Sequence, residues 1–224
     1  MADLRTAIVI DYQNVHLTGH DRFDSTRFGP KHEALVDPLF FAQQLLHVRN
    51  SRQREGAAAA VLRTVDVYRG LPSSDHDPAA YARNLSQKDR WERDRRVSVT
   101  LRPLRYRYQR DASGRPITDP QTGLRIPIGS PDEKGVDVLC ALALVRHARR
   151  QDIDLVILAS LDSDLIPALD EAVLTGTKVE TFSWWSPKKR GFEMRLSNPA
   201  RRLWNTRLNE QEFLRCIDRT DYTS

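Results

Sequence analysis

Ala7-Ile8-Val9-Ile10-Asp11-Tyr12-Gln13-Asn14 and Leu155-Val156-Ile157-Leu158-Ala159-Ser160-Leu161-Asp162-Ser163-Asp164 are the two stretches on which the fold of this chain turns. Each begins as an apolar, β-branched run with no polar alternation. That is the pattern of a strand buried on both faces, and so of a parallel sheet. Each run also ends at an acid. Open α/β sheets bind ligands beyond the carboxyl ends of their strands, where the connections diverge, and Asp11, Asp162 and Asp164 are expected to meet there. Carboxylates crowded into one crevice repel one another unless a cation lies between them. Oxygen-only ligands suit Mg²⁺ or Mn²⁺, so metal-dependent phosphodiester chemistry is the first functional expectation.

Between these runs the chain alternates strands and helices. A loop rich in His, Gly and Asp is expected from Tyr12 to Lys31. Asp37-Pro38 and Asp77-Pro78 each spell an N-cap followed by proline at the first helical position, with strands over Ala57–Tyr68 and Val97–Leu101 after the respective helices. Residues 102–130 break the rhythm: Arg105-Tyr106-Arg107-Tyr108 alternates with period two, and Gly114, Pro116, Pro120, Gly123 and Pro127 punctuate turns, which predicts a hairpin excursion from the sheet. Ser130-Pro131-Asp132-Glu133 reads as a capping box opening a helix to about Arg149. Strands over Ile153–Ser160 and Lys178–Ser183 flank a helix ended by Gly176, and a final helix falls near Glu210–Ile217. The sum is a doubly wound α/β fold.

With 224 residues, one sizeable core and a single domain are expected. Lys and Arg outnumber Asp and Glu by 35 to 30, which favours an anionic partner. Cys140 and Cys216 have neither a disulfide framework nor zinc spacing around them. No apolar run approaches the ~20 residues of a membrane span. The first strand begins too close to Met1 to leave room for a leader, so a cytoplasmic location is expected.

A strand-terminal Asp such as Asp11 is also a common turn former, and Asn14, three residues on, either supports a carboxylate or makes an Asx-turn. Asp137 is more unusual. It interrupts Val136-Asp137-Val138-Leu139 on a helix otherwise apolar at helical spacing, so it either ligates a cation or pairs with Lys134. There is no Gly-rich phosphate loop, no dinucleotide fingerprint and no nucleophile elbow. His16 and His20, in the expected loop, are read as bystanders.

Val9-Ile10-Asp11-Tyr12-Gln13-Asn14, Lys134-Gly135-Val136-Asp137-Val138 and Ser160-Leu161-Asp162-Ser163-Asp164-Leu165, taken in order, resemble the three motifs of NYN domains, a branch of the PIN-like nucleases. The resemblance covers residues 5 to 185. It implies a mainly parallel sheet of about five strands in order 3-2-1-4-5 with helices on both faces, residues 1–185 as the catalytic domain, and 186–224 as a basic extension with a final helix packed on the same domain. It also implies a Mg²⁺- or Mn²⁺-dependent endoribonuclease in which Asp11, Asp137 and Asp162 are metal ligands, Asp164 is a fourth catalytic acid, and Asn14, Lys134, Ser160 and Ser163 are supporting residues. Leu161 and Leu165 stand where the family usually has Gly and Phe.

RNA contacts are expected at Arg105 and Arg107 on the excursion and at Lys188, Lys189 and Arg190 after Trp184-Trp185, because Arg and Lys meet phosphates while aromatics stack on unpaired bases. Single-stranded DNA stays open as the nucleic acid, and so does a homodimer. Two other readings stand beside the enzyme: a non-catalytic RNA- or partner-binding protein on the same fold, and a receiver-like signalling domain.

Overall fold

Successive residues of the first strand point to opposite faces of the sheet, and in this chain both faces are covered. A computed structural model describes residues 2–23, 31, 33–189 and 191–222. Strand β1 (Leu4–Asp11) leads directly into helix α1 (Tyr12–Phe23), followed by β2 (Leu35–Val36), α2 (Pro38–Ser51), β3 (Ala60–Leu71), α3 (Pro78–Trp91), β4 (Val97–Pro103) and α4 (Val136–Ala148). Then come β5 (Leu155–Ala159), a 3-10 turn (Ser163–Leu165), α5 (Ile166–Leu174), β6 (Lys178–Trp184), β7 (Trp204–Leu208), α6 (Glu210–Arg215) and β8 (Ile217–Asp218).

The main sheet has six strands in order β4-β3-β1-β5-β6-β7, every neighbouring pair parallel. Ile8 and Ile10 point into one core with Phe41 and Leu45 of α2, Phe182, Trp184 and Phe213. Ala7 and Val9 point into a second core with Val136, Cys140 and Leu144 of α4 and Leu169 of α5. Burial on both faces is why the strand sequences carry no polar alternation. The two Asp-Pro signals do what their chemistry predicts: Asp37 accepts from Leu39 N and Phe40 N, and Asp77 from Ala80 N. No helix among the described residues is long and apolar enough to cross a membrane.

Four expectations are corrected. The residues after β1 form helix α1 rather than a loop, and its His16 and His20 are buried, not exposed. Strand β3 continues through Leu71, because its last residues pair with β4 as far as Leu71 opposite Pro103. Helix α4 starts at Val136, not at Ser130; Gly135 is its N-cap, with φ of 79°. Finally, the main sheet has six strands rather than five, since the tail lays β7 parallel to β6, while β8 pairs with β2 in a separate two-stranded sheet. Trp204, at the start of β7, is 41% exposed, and the tryptophan that fills the core is Trp184.

The expected excursion is present as an arm between β4 and α4. Antiparallel bridges join Arg105 to Asp132, Tyr108 to Pro127 and Thr118 to Arg125. Its tyrosines anchor it: Tyr106 accepts from Ser73 N at 3.0 Å, Tyr108 lies 3.2 Å from His76 Nε2, and the His76 ring packs against both.

Candidate active site

Adjacent parallel strands β1 and β5 end side by side, so the residues that follow each run are brought together at the carboxyl edge of the sheet. Asp11 closes β1 and is buried. One carboxylate oxygen accepts from Asn14 N at 3.2 Å and the other from Ser160 Oγ at 3.1 Å. The Asn14 side chain in turn accepts from Leu161 N at 2.8 Å, and Asp162 N donates to Ser160 Oγ at 3.1 Å. Asp162 then caps the 3-10 turn by accepting from Asp164 N at 3.0 Å. The two sequence motifs are thus wired to each other, with Asn14 and Ser160 as the links. Leu165 fills the core beneath.

Gly135 explains the third motif. Its left-handed backbone turns the chain into α4, and a Cβ there would lie 3.0 Å from Nε of Arg102, which donates to the Lys134 carbonyl at 2.6 Å. Glycine meets both requirements, conformational and steric. Asp137 then falls in the first turn of α4, half-buried at the crevice. No ion pair joins Lys134 to Asp137 among the described residues; Lys134 is exposed.

Glu133 is the acid that sequence reasoning misplaced. Its carboxylate accepts from Gly70 N on β3 across the mouth of the crevice. A Cβ on Gly70 would come within 2.6 Å of that carboxylate oxygen. The signal against a helix cap was Gly135, a poor helix former two residues after the supposed third helical position.

Burial is the main cause pushing the Asp11 carboxyl from its ordinary 3.8 up to about 6. The Asn14 amide and the Ser160 hydroxyl oppose this, and the negative charges of Glu133 and Asp162 add to it. Burial likewise raises Glu133, with Asp137 reinforcing the shift. Cys140, beneath the crevice, is raised by its own burial and then by Asp11, Glu133 and Asp137 together. Four acids therefore act on one small region. Among the described residues no three such groups stand close enough to make a ready-formed metal site. The donor set is nevertheless all oxygen, and mutual repulsion around a buried carboxylate is the condition that a hard divalent cation relieves.

The remaining sequence-derived positions lie around this centre. Ser163 and Asp164 are exposed on the 3-10 turn. Arg105 and Arg107 are exposed at the root of the arm, Arg105 pairing its backbone with Asp132 beside Glu133. Lys188 and Lys189 are exposed at the far end of α1, where Lys189 Nζ donates to the Asp21 carbonyl and Arg22 donates to the Lys189 carbonyl. A helix of 12 residues separates them from Asp11, about 18 Å at the α-helical rise. Arg190 lies outside the described residues.

No known protein family matches the sequence, and no curated protein matches it. The chain is similar to the crystal structure of a protein of unknown function from Vibrio parahaemolyticus RIMD 2210633, with a TM-score of 0.43 and 20% identity over 80% of this chain and 81% of that one.

Proposed function

We propose that this protein is a metal-dependent endoribonuclease of the NYN type that hydrolyses RNA phosphodiester bonds. The observation that carries the reading is Asp11: a buried carboxylate held by Asn14 and Ser160, with Glu133, Asp137 and Asp162 around it at the carboxyl edge of a parallel sheet. A protein that only binds RNA gains nothing from this mutual repulsion. Asp11, Asp137 and Asp162 are assigned to hold Mg²⁺ or Mn²⁺, with Glu133 beside them. When bound, such a cation polarises a phosphoryl oxygen and lowers the pKa of a bound water. The chain's own groups do the rest. Ser160 and Asn14 fix the direction of the Asp11 lone pairs, Gly135 sets the start of the helix that presents Asp137, and Glu133, raised by burial, is suited to take up a proton. The test is incubation of the pure protein with mixed RNAs in Mn²⁺ or Mg²⁺ and in excess EDTA. Cleavage is expected only with the metal. Undiminished cleavage in EDTA sinks the mechanism, and RNA binding without cleavage in any metal favours the non-catalytic alternative.

The arm supports RNA as the substrate. Residues 102–129 contain six arginines and two aspartates, four of the five excess positive charges of the chain. Both aspartates are occupied in turns, Asp111 accepting from Ser113 N and Arg115 N, and Asp119 from Gln121 N and Thr122 N. Replacing Arg105, Arg107, Arg115 and Arg125 with Ala is expected to weaken RNA binding in metal-free buffer and to flatten its dependence on salt, since each lost phosphate contact removes released counterions. The same measurement on Lys188→Ala/Lys189→Ala reports the second basic segment. If the quadruple variant keeps the wild-type salt slope, the arm is not the contact surface.

A further inference from the structure

Strand β3 outruns its neighbour. Asp11 ends β1 opposite Tyr68, while β3 continues through Arg69 and Gly70 to Leu71. Past Asp11 the chain turns into α1 at Tyr12, so beyond this level β1 no longer divides the two faces of the sheet. Residues from both sides border the gap. Glu133, just ahead of α4, accepts from Gly70 N. Arg69 is held against α1 and α3: its guanidinium lies 4.5 Å from the centre of the Tyr12 ring and 5.7 Å from that of Trp91, and Nη1 donates to Gln87 Oε1 at 2.6 Å. These contacts fix the guanidinium and leave its charge unmatched. A cation this enclosed is ordinarily paired with an anion, yet among the described residues no carboxylate forms an ion pair with Arg69. Burial disfavours its charge, and the carboxylate that favours it from a distance, Glu133, is already engaged with Gly70 N. Of the three guanidinium nitrogens, Nη1 is taken by Gln87 and Nε is enclosed without a partner. Nη2 has no partner either, but it is not enclosed, so it is the donor that a ligand can reach.

We propose that Arg69 is a phosphate-binding residue of this site, its Nη2 donating to a non-bridging oxygen of an RNA strand that crosses the end of β1. The inference rests on the ribonuclease reading and gives it a substrate contact. A guanidinium is charged at every working pH and suits phosphate oxygens. This one is fixed before the ligand arrives, by Tyr12, Trp91 and Gln87, so it loses less freedom on binding than an exposed arginine of the arm. Its positive charge also offsets the acids of the crevice, which would otherwise repel an anionic strand. An arginine that serves structure alone looks different in this chain. Arg49 is matched by Glu180 and donates to Asn50 and to the Ala58 carbonyl, with its charge answered inside the fold. Arg69 has the enclosure of such a residue without the anion, and the anion it lacks is the one that the substrate carries.

The test is Arg69→Met, which keeps an apolar stem against Tyr12 and Trp91 and removes the charge. Fluorescence anisotropy of a labelled single-stranded oligoribonucleotide, titrated with the full chain in EDTA across a salt series, reads binding without cleavage. The variant is expected to bind about tenfold more weakly, the loss of one charge-assisted hydrogen bond, and its salt slope is expected to fall by about one. Its melting temperature is expected to be unchanged or raised, because an unmatched enclosed charge has gone. Arg69→Lys, which restores the charge, is expected to recover the slope. Wild-type affinity and slope in Arg69→Met overturn the proposal, and so does a wild type that does not bind the oligoribonucleotide. A melting temperature several degrees lower with an unchanged slope also overturns it, since that is the signature of a structural arginine. If Arg69→Met does not fold, Arg69→Gln carries the same comparison, and failure of both to fold assigns Arg69 to structure. The two readings fail separately. A wild type that binds but never cleaves, with binding lost in Arg69→Met, upholds the phosphate contact and overturns the nuclease; metal-dependent cleavage with unchanged binding in the variant does the reverse.

Discussion

Asp11→Asn is expected to lose phosphodiester cleavage by on the order of a hundredfold or more while gaining stability in the metal-free state above pH 6. The activity loss follows from the proposed role of Asp11 as a metal ligand, since even the outer-shell partners of such ligands cost about 10- to 100-fold when changed. The stability gain follows from the sign of the shift. Burial raises the folded-state pKa of Asp11 from 3.8 to about 6, so between those values the folded state binds more protons than the unfolded state, and stability falls as pH rises. The penalty is absent below the unfolded value, builds through the window from 3.8 to 6, and is complete above it. A shift of about two units corresponds to roughly 3 kcal/mol as an upper figure, or several degrees in melting temperature for a chain of this size. Asn preserves the local geometry, because its oxygen can accept from Asn14 N and its amide can donate to Ser160 Oγ. Thermal melts of both proteins at pH 4 and pH 8 in EDTA, beside a cleavage assay in Mn²⁺, check the expectation. Equal melting temperatures at pH 8 refute the electrostatic account, and retained cleavage removes Asp11 from the catalytic set.

Arg49→Met is expected to destabilise the fold by about 3–5 kcal/mol, the cost of leaving a buried charge without its partner. Arg49 of α2 and Glu180 of β6 are each 1% exposed at the side chain and meet through two hydrogen bonds, Nη2 to Oε1 at 3.0 Å and Nε to Oε2 at 3.2 Å. Arg49 also donates to Asn50 Oδ1 and to the Ala58 carbonyl. The pair joins a helix on one face of the sheet to β6, the strand next to the edge, in a setting with little water to screen it. Lys178 Nζ, 3.2 Å from the same carboxylate and partly exposed, offsets some of the loss. The double variant Arg49→Met/Glu180→Leu is expected to recover most of the stability, because apolar groups of similar volume replace a buried ion pair at little net cost. Urea unfolding of the wild type, the single variant and the double variant measures this. A double variant as unstable as the single one would show that the hydrogen bonds to Asn50 and Ala58, rather than the charge on Glu180, govern the site.

Read alone, the sequence determined what depends on local pattern. The apolar runs before Asp11 and Ser160 specify strands buried on both faces, Asp37-Pro38 and Asp77-Pro78 specify helix starts, and Gly176 marks a helix end; each signal is contained within a few residues and acts through its own backbone. The order β4-β3-β1-β5-β6 within the sheet was not contained in any local pattern and was only implied by the resemblance that three short motifs carry, which also named Asp11, Asn14, Asp137, Ser160 and Asp162 as candidates. What the sequence did not determine depends on partners distant in the chain. Residues 12–23 read as a loop because His, Thr, Gly and Asp give a weak amphipathic pattern; they form α1 because Tyr12, Val15 and Phe23 pack into the core and Trp184 Nε1 donates to the Val15 carbonyl at 2.9 Å. Trp204–Leu208 becomes a sixth strand only because the edge of β6 is available to pair with it. Glu133 looked like a helix cap because Ser130-Pro131-Asp132-Glu133 satisfies the local rule for one. Its true partner, the amide of Gly70, is 63 residues away. Only the folded chain brings Glu133 into the acidic crevice, because burial and the charge of Asp137 act through space rather than along the sequence.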